Sequence, residues 1–257
     1  MSLLLAKNVV SREVLSRVPT PDAVDRFHPI AHGELADATR LAISNAGLEI
    51  IEEEHALARG GLRYFGGFAL RGAGIDSADR NIVLGLRNAH DKTFAASICV
   101  GNRMIVCDNL CFASDIKLAR RHTTNIMNDI PRVLASAVSR VVSHWNDMGK
   151  RIKAYQETVI GDATASDLLV KLVDSKAFPA RDIYNAILEF RAPRHPEFAG
   201  NSLWSLYNSV TENLKNGDLT KLPARTMVMQ SVFDRVAHHD SIIEIDAEFE
   251  PLVALEA

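Results

Sequence analysis

From residue 48 to residue 107, short apolar runs alternate with turn signals, a rhythm that restricts the chain to an antiparallel meander. Residues 48–58 contain Ile50-Ile51, Gly60-Gly61 marks a hairpin turn into residues 62–71, and Gly72-Ala73-Gly74 forms a loop. Ile82, Leu84 and Leu86 then alternate with Val83, Gly85 and Arg87, the period of a sheet strand. A polar turn, Asn88-Ala89-His90-Asp91-Lys92, leads back into residues 94–100. Gly101-Asn102 reads as a second turn into a fifth strand, Met104-Ile105-Val106-Cys107. Five antiparallel strands need a helix layer on their apolar face.

That layer has candidates. Residues 113–157 have helical spacing, with a break or bend expected at Pro131, and Ile130, Val133, Leu134, Ala137, Val138, Val141 and Val142 form the face to be buried. Before the strands, residues 34–47 read as a helix with Leu35, Ala38, Leu41 and Ala42 on one face and Gly47 as a left-handed cap. After Gly161 the pattern is mostly helical: Ser166 is a candidate N-cap, Pro179 suits a first turn, and Ser202 caps a helix whose Trp204, Tyr207, Val210 and Leu214 share a face. Residues 224–239 form the last helix, and 243–250 alternate as a terminal strand. The expected class is α+β: an antiparallel β-meander packed against a long basic helix, followed by a mostly helical C-terminal part. The expected divisions are an irregular arm at 1–32, an α+β core at 33–157, and a helical region with a terminal strand at 158–257.

The chain has 257 residues, 47% of them hydrophobic, enough to bury a sizeable core. Its net charge of −3 excludes a globally basic nucleic-acid binder. Within residues 116–153, however, Lys117, Arg120, Arg121, Arg132, Arg140, Lys150, Arg151 and Lys153 face only Asp129 and Asp147. Such local positive charge is either the footprint of a phosphate-binding surface or a solvated face paired with acids such as Glu52, Glu53 and Glu54. Met1-Ser2-Leu3-Leu4-Leu5 is too short for a signal peptide, no apolar run is long enough for a membrane span, and three cysteines cannot all pair. A cytoplasmic setting with free thiols is expected.

His90 and Asp91 on the hairpin are acid–base candidates, although neighbouring turn residues rarely face each other. Cys107 and Cys111 have a zinc-like spacing, with Cys99, His90 and His122 as companions, but no second ligand pair follows, and buried apolar thiols are the simpler reading. His238-His239 is best read as helix-end cations. No phosphate-binding loop, dinucleotide fingerprint or His-Glu-x-x-His motif occurs, so neither a cofactor nor a metal is expected.

Three segments resemble the phage/plasmid-like protein family, described as a domain of unknown function. The first is Leu86-Arg87-Asn88-Ala89-His90-Asp91-Lys92-Thr93, where the family reads Asn-Ser-His-Asp-Gly-Ser. The second is Arg103-Met104-Ile105-Val106-Cys107-Asp108-Asn109, followed by Arg121-His122-Thr123. The third is Pro193-Arg194-His195-Pro196-Glu197-Phe198, followed by residues 203–212. The resemblance spans about residues 48 to 240, with Ala89 in place of Ser, Lys92 in place of Gly, and Asp108 where Ser or Asn is usual. It marks Asn88, Asp91, Arg103, Cys107, Asn109 and His122 as motif residues without an assigned role. It also implies a mobile-element context: replication, recombination or counter-defence. The order helix, meander, basic helix resembles the core of ring-forming single-strand annealing proteins.

The leading expectation is a non-catalytic accessory protein that binds single-stranded nucleic acid, with single-stranded DNA as the candidate partner and a homo-oligomer as the candidate assembly. Lys117, Arg120, Arg121 and Arg132 would neutralise phosphates, with Arg87 and His90 lining the same groove. One alternative is an inhibitor or interaction protein binding a host or phage protein through its terminal strand. Another is a hydrolase using His90, Asp91, Cys107 and His122. No membrane partner is expected.

Overall fold

The alternating runs form one sheet, seen in a computed structural model that describes residues 3–4, 8–104, 110–215, 221–239 and 244–245, with main chain alone at 110–118 and 244–245. Its strands are β1 (Val9–Val10), β2 (Glu49–Ala58), β3 (Arg63–Arg71), β4 (Arg80–Ala89), β5 (Ala96–Met104), β6 (Leu110–Arg120) and β7 (Glu244–Ile245). They lie in sequence order, antiparallel from β1 to β6, with β7 added parallel to β6. The helices are α1 (Arg12–Ser16), α2 (His32–Asn45), α3 (Ile126–Ser139), α4 (Val141–Glu157), α5 (Asp162–Asp174), α6 (Ile183–Arg191), α7 (Leu203–Leu214) and α8 (Leu222–Ala237). The α+β class holds.

Local signals explain many boundaries. The β2–β3 turn uses left-handed backbone at Arg59, Gly60 and Gly61, and Gly60 and Gly61 adopt it without a Cβ clash. Gly47 ends α2 at φ 70°, as its position after the helical run requires. Ser202 accepts from the Ser205 amide at 3.1 Å and so caps α7. Ser166 instead lies inside α5, where its hydroxyl donates to the Asp162 carbonyl; the helix starts four residues earlier, behind Gly161.

Both faces of the sheet are covered, rather than one. Tyr64, Phe68 and Leu70 of β3, with Ile82, Leu84 and Leu86 of β4, pack against Leu35 and Ile43 of α2 and Ile130, Leu134 and Ala137 of α3. On the other face Ala69 and Val83 join Leu3 and a core drawn from α4 to α8. This explains the continuous burial of Ile82–Leu86, which a one-sided sheet would not need. The buried face of α2 is Leu35, Ala36, Thr39 and Ile43; Leu41, expected inside, is 62% exposed. The stretch expected as an arm supplies Leu15 and Ile30 to the first core, while β1 pairs with β2.

Three expectations change. Residues 110–120 are a strand, not the start of the basic helix, so Lys117 and Arg120 lie on β6. Pairing along β5 on both sides of a register shift selects strand over helix for this stretch. The Gly101-Asn102 turn does not form: β5 runs through it to Met104, with a register shift between Cys99 and Gly101. Pro131 sits within α3, and the helical break falls at Arg140 instead. There α4 sets off from the first core, where Val141 and Trp145 pack, toward the second, which takes Met148, Ile152 and Tyr155.

Candidate nucleic-acid interface

One end of the sheet gathers the β2–β3 turn, the β4–β5 hairpin and the C-terminal end of β6. Register places Arg63 opposite Ala89, Arg87 opposite Ser97, and Ala96 opposite Arg120. Two motif segments far apart in sequence therefore become neighbours: the hairpin at Asn88–Lys92 and the turn after β6 at Arg121–His122.

Beneath this end lies a buried polar cluster. The Asn88 amide donates to the Ile30 carbonyl at 2.8 Å and to His32 Nδ1 at 2.9 Å. His32 Nε2 in turn donates to the Gly61 carbonyl at 2.9 Å, and together these bonds fix its tautomer. The His90 ring stacks on His32, with centroids 3.9 Å apart and planes 9° apart, and its Nε2 donates to Ile30. His122 is buried with its ring edge-on to Phe27 at 5.2 Å. Burial drives the pKa of His32 down to about 4, partly offset by the Gly61 hydrogen bond and helped by nearby His90 and His122. Burial first and His90 second bring His122 to about 4 as well. The cluster ties the hairpin to the segment leading into α2.

The hairpin tip is held separately. Asp91 accepts from Arg63 Nε at 2.7 Å and from the amide and hydroxyl of Thr93. Burial works against its charge, yet the bonds from Thr93 and Arg63 prevail and hold its carboxyl below the ordinary value. Lys92 occupies left-handed backbone at φ 63°, and its ammonium lies 5.0 Å from the Phe27 ring centre. Lys92 stands where the resembling family has glycine. Lys92→Gly is expected to leave stability within about 1 kcal/mol, because relief of backbone strain and loss of the cation–π contact oppose each other. Thermal melts of the two proteins check this.

The rim above the cluster is basic and aromatic. Phe27 meets the Lys92 ammonium and, edge-on, the His122 ring, and Arg121 precedes His122 in sequence. Arg121 is exposed; Arg120, half-buried, donates to the Ala119 carbonyl at 2.7 Å. Arg132 is 75% exposed on α3 and pairs with Asp129 at 3.0 Å.

Other candidate residues are placed elsewhere. Arg87 and Asn88 are consecutive in β4 and face opposite sides, and His90 stacks on the α2 side, so Arg87 and His90 do not line one groove. His90 is 5% exposed, beneath the surface of the hairpin end. Arg103 is buried near the opposite end of the sheet, in an ion pair with Glu52. The basic tract is dispersed rather than presented on one helix: Arg151 is fully buried against Asp234, and Lys153 pairs with Glu157. The main chain of Lys117 pairs with Cys99 and Ile245. Cys107 and Asn109 lie outside the described residues. Among the described residues, no three His, Cys, Asp or Glu side chains come together to hold a metal, and no helix is long and apolar enough to cross a membrane.

His32 carried no sequence signal. It lies 56 residues from Asn88, and only the packing of α2 on the sheet joins them. Phe27 was equally silent, in a stretch that reads as irregular.

The molecule is thus an α+β protein whose meander carries a buried histidine cluster under a basic, aromatic hairpin end. The chain belongs to the family described as Domain of unknown function (DUF932), whose model matches residues 23–236. No curated protein and no solved structure matches it.

Proposed function

We propose that this protein binds single-stranded nucleic acid at the hairpin end of its sheet, as a non-catalytic accessory factor of phage or plasmid recombination or replication. The observation that carries the reading is the Lys92 ammonium over the Phe27 ring at the hairpin end, where the β6 terminus brings Arg120 and exposed Arg121, with Arg132 farther along. Cations that neutralise phosphates, interleaved with aromatic faces that stack bases, are what sequence-tolerant single-strand binding uses. The hydrolase reading is less favoured, because His90 Nε2 is engaged by Ile30 and the Asp91 oxygens by Arg63 and Thr93. The strand-addition reading has β7 at the edge of the sheet, where its described residues, Glu244–Ile245, offer a partner a two-residue template.

Fluorescence anisotropy of a labelled single-stranded oligonucleotide tests the proposal. With three phosphate contacts from Lys92, Arg120 and Arg121, affinity should fall roughly 20-fold between about 50 and about 200 mM salt. In the Lys92→Gly/Arg121→Ala double variant one contact remains, so the same salt step should cost only about threefold. Salt-independent binding, or a double variant indistinguishable from the parent, refutes the reading.

A further inference from the structure

The sheet face opposite the histidine cluster carries a cavity lined by Leu4, Phe65, Gly85, Arg87, Ser97, Cys99 and, from α8, Pro223. Its shape follows from the strand register. One row across the sheet is Phe65, Arg87 and Ser97; the next is Gly67, Gly85 and Cys99. The paired glycines leave a depression in the sheet, and the Leu3 and Leu4 side chains close it over Gly67, where an added Cβ would lie 2.9 Å from Leu4. A bulky residue at either position would fill the floor. Arg87 lines this apolar hollow, its Nε donating to the Ser97 hydroxyl at 3.2 Å and its guanidinium 5.0 Å from the Phe94 ring centre. The Cys99 thiol stands at the wall, 3.6 Å from the Gly85 carbonyl.

An apolar cavity with one oriented guanidinium has a definite complement. Apolar walls at Leu4, Phe65 and Pro223 take a hydrocarbon body, and a planar cation against an aromatic ring takes an oxyanion. We propose that this cavity binds a small amphipathic anion, an apolar chain ending in a carboxylate or a phosphate monoester. The site is separate from the nucleic-acid surface, since Arg87 faces away from Asn88 and the cluster around it, and it stands or falls independently of that reading.

Cys99 reports occupancy directly. A tryptic peptide covering residues 93–103 contains Cys99 alone, apart from Cys107 and Cys111, so its alkylation by iodoacetamide is followed by mass spectrometry. Decanoate or decyl phosphate, each below its critical micelle concentration, should slow alkylation of Cys99 in a saturable way, and decanol should be far weaker. The probe that saturates first tells which headgroup is preferred. Arg87→Gln keeps a polar side chain on part of the stem and removes the charge, and should weaken protection roughly tenfold to hundredfold. Absence of protection by both anions, or equal protection by decanol, overturns the proposal. Should Arg87→Gln not fold, the contrast between decanoate and decanol on the wild-type chain decides alone.

Discussion

Asp234→Ala is expected to destabilise the protein by about 3–5 kcal/mol, the cost of removing the nearest carboxylate from a buried ion pair. Arg151 of α4 is completely buried, and its Nε donates to Asp234 Oδ1 of α8 at 3.0 Å. The same oxygen accepts from the Tyr155 hydroxyl at 2.6 Å. Burial, and then the Asp234 charge, push the Tyr155 phenol well above its ordinary value, so it stays a donor. Asp147, partly exposed, also pairs with Arg151 at 3.7 Å, a longer and better-solvated contact that offsets only part of the loss. A loss of that size is a large fraction of the stability of a typical domain. Urea unfolding monitored by tryptophan fluorescence and by circular dichroism measures it. A midpoint within experimental error of the parent would refute the account. Replacing the pair together, Arg151→Met with Asp234→Leu, should cost far less than Asp234→Ala, because no charge is then stranded.

The second large effect is on acid stability. His32 and His122 have folded pKa values near 4 against an ordinary 6.5, so between those limits the unfolded chain binds more protons than the folded one. Stability is therefore full above about pH 6.5 and declines as pH falls toward 4. At pH 5 each ring should account for a loss of roughly 2 kcal/mol relative to pH 7.5. Unfolding curves across this range check the total, and His122→Phe, which keeps a ring against Phe27, should remove one share of the slope. A stability that is flat from pH 7.5 to pH 5, or a His122→Phe profile parallel to that of the parent, would count against the cluster as described. The consequence is local before it is global: protonation first loosens the link between the hairpin and the approach to α2, beneath the surface proposed to meet nucleic acid.

The two groups of residues differ in how readable they were. Asn88, His90 and His122 stood out as motif residues, and the structure joins them in one cluster. That they lie buried beneath the hairpin end was not readable, because burial is a property of the packed α2 and α3 layers. Arg151 belonged to a basic tract that looked uniform in sequence; that one member crosses into the second core depends on the break at Arg140 and on Asp234, 83 residues away.

What the sequence alone determined was local: the strands from Glu49 to Ala89 with their hairpin turns, the left-handed stop at Gly47, the Ser202 cap, and the buried spacing of α3 and α7. Each depends on backbone sterics or on periodicity within a few residues. The tertiary structure alone decided whether residues 110–120 would be helix or strand, which faces of the sheet would be covered, and which histidines would meet. The physical reason is common to all three. The deciding free energy comes from partners brought in by the fold: β5 for the strand, α4–α8 for the second face, and the Ile30 carbonyl for Asn88 and His90. No local window of the chain contains these interactions.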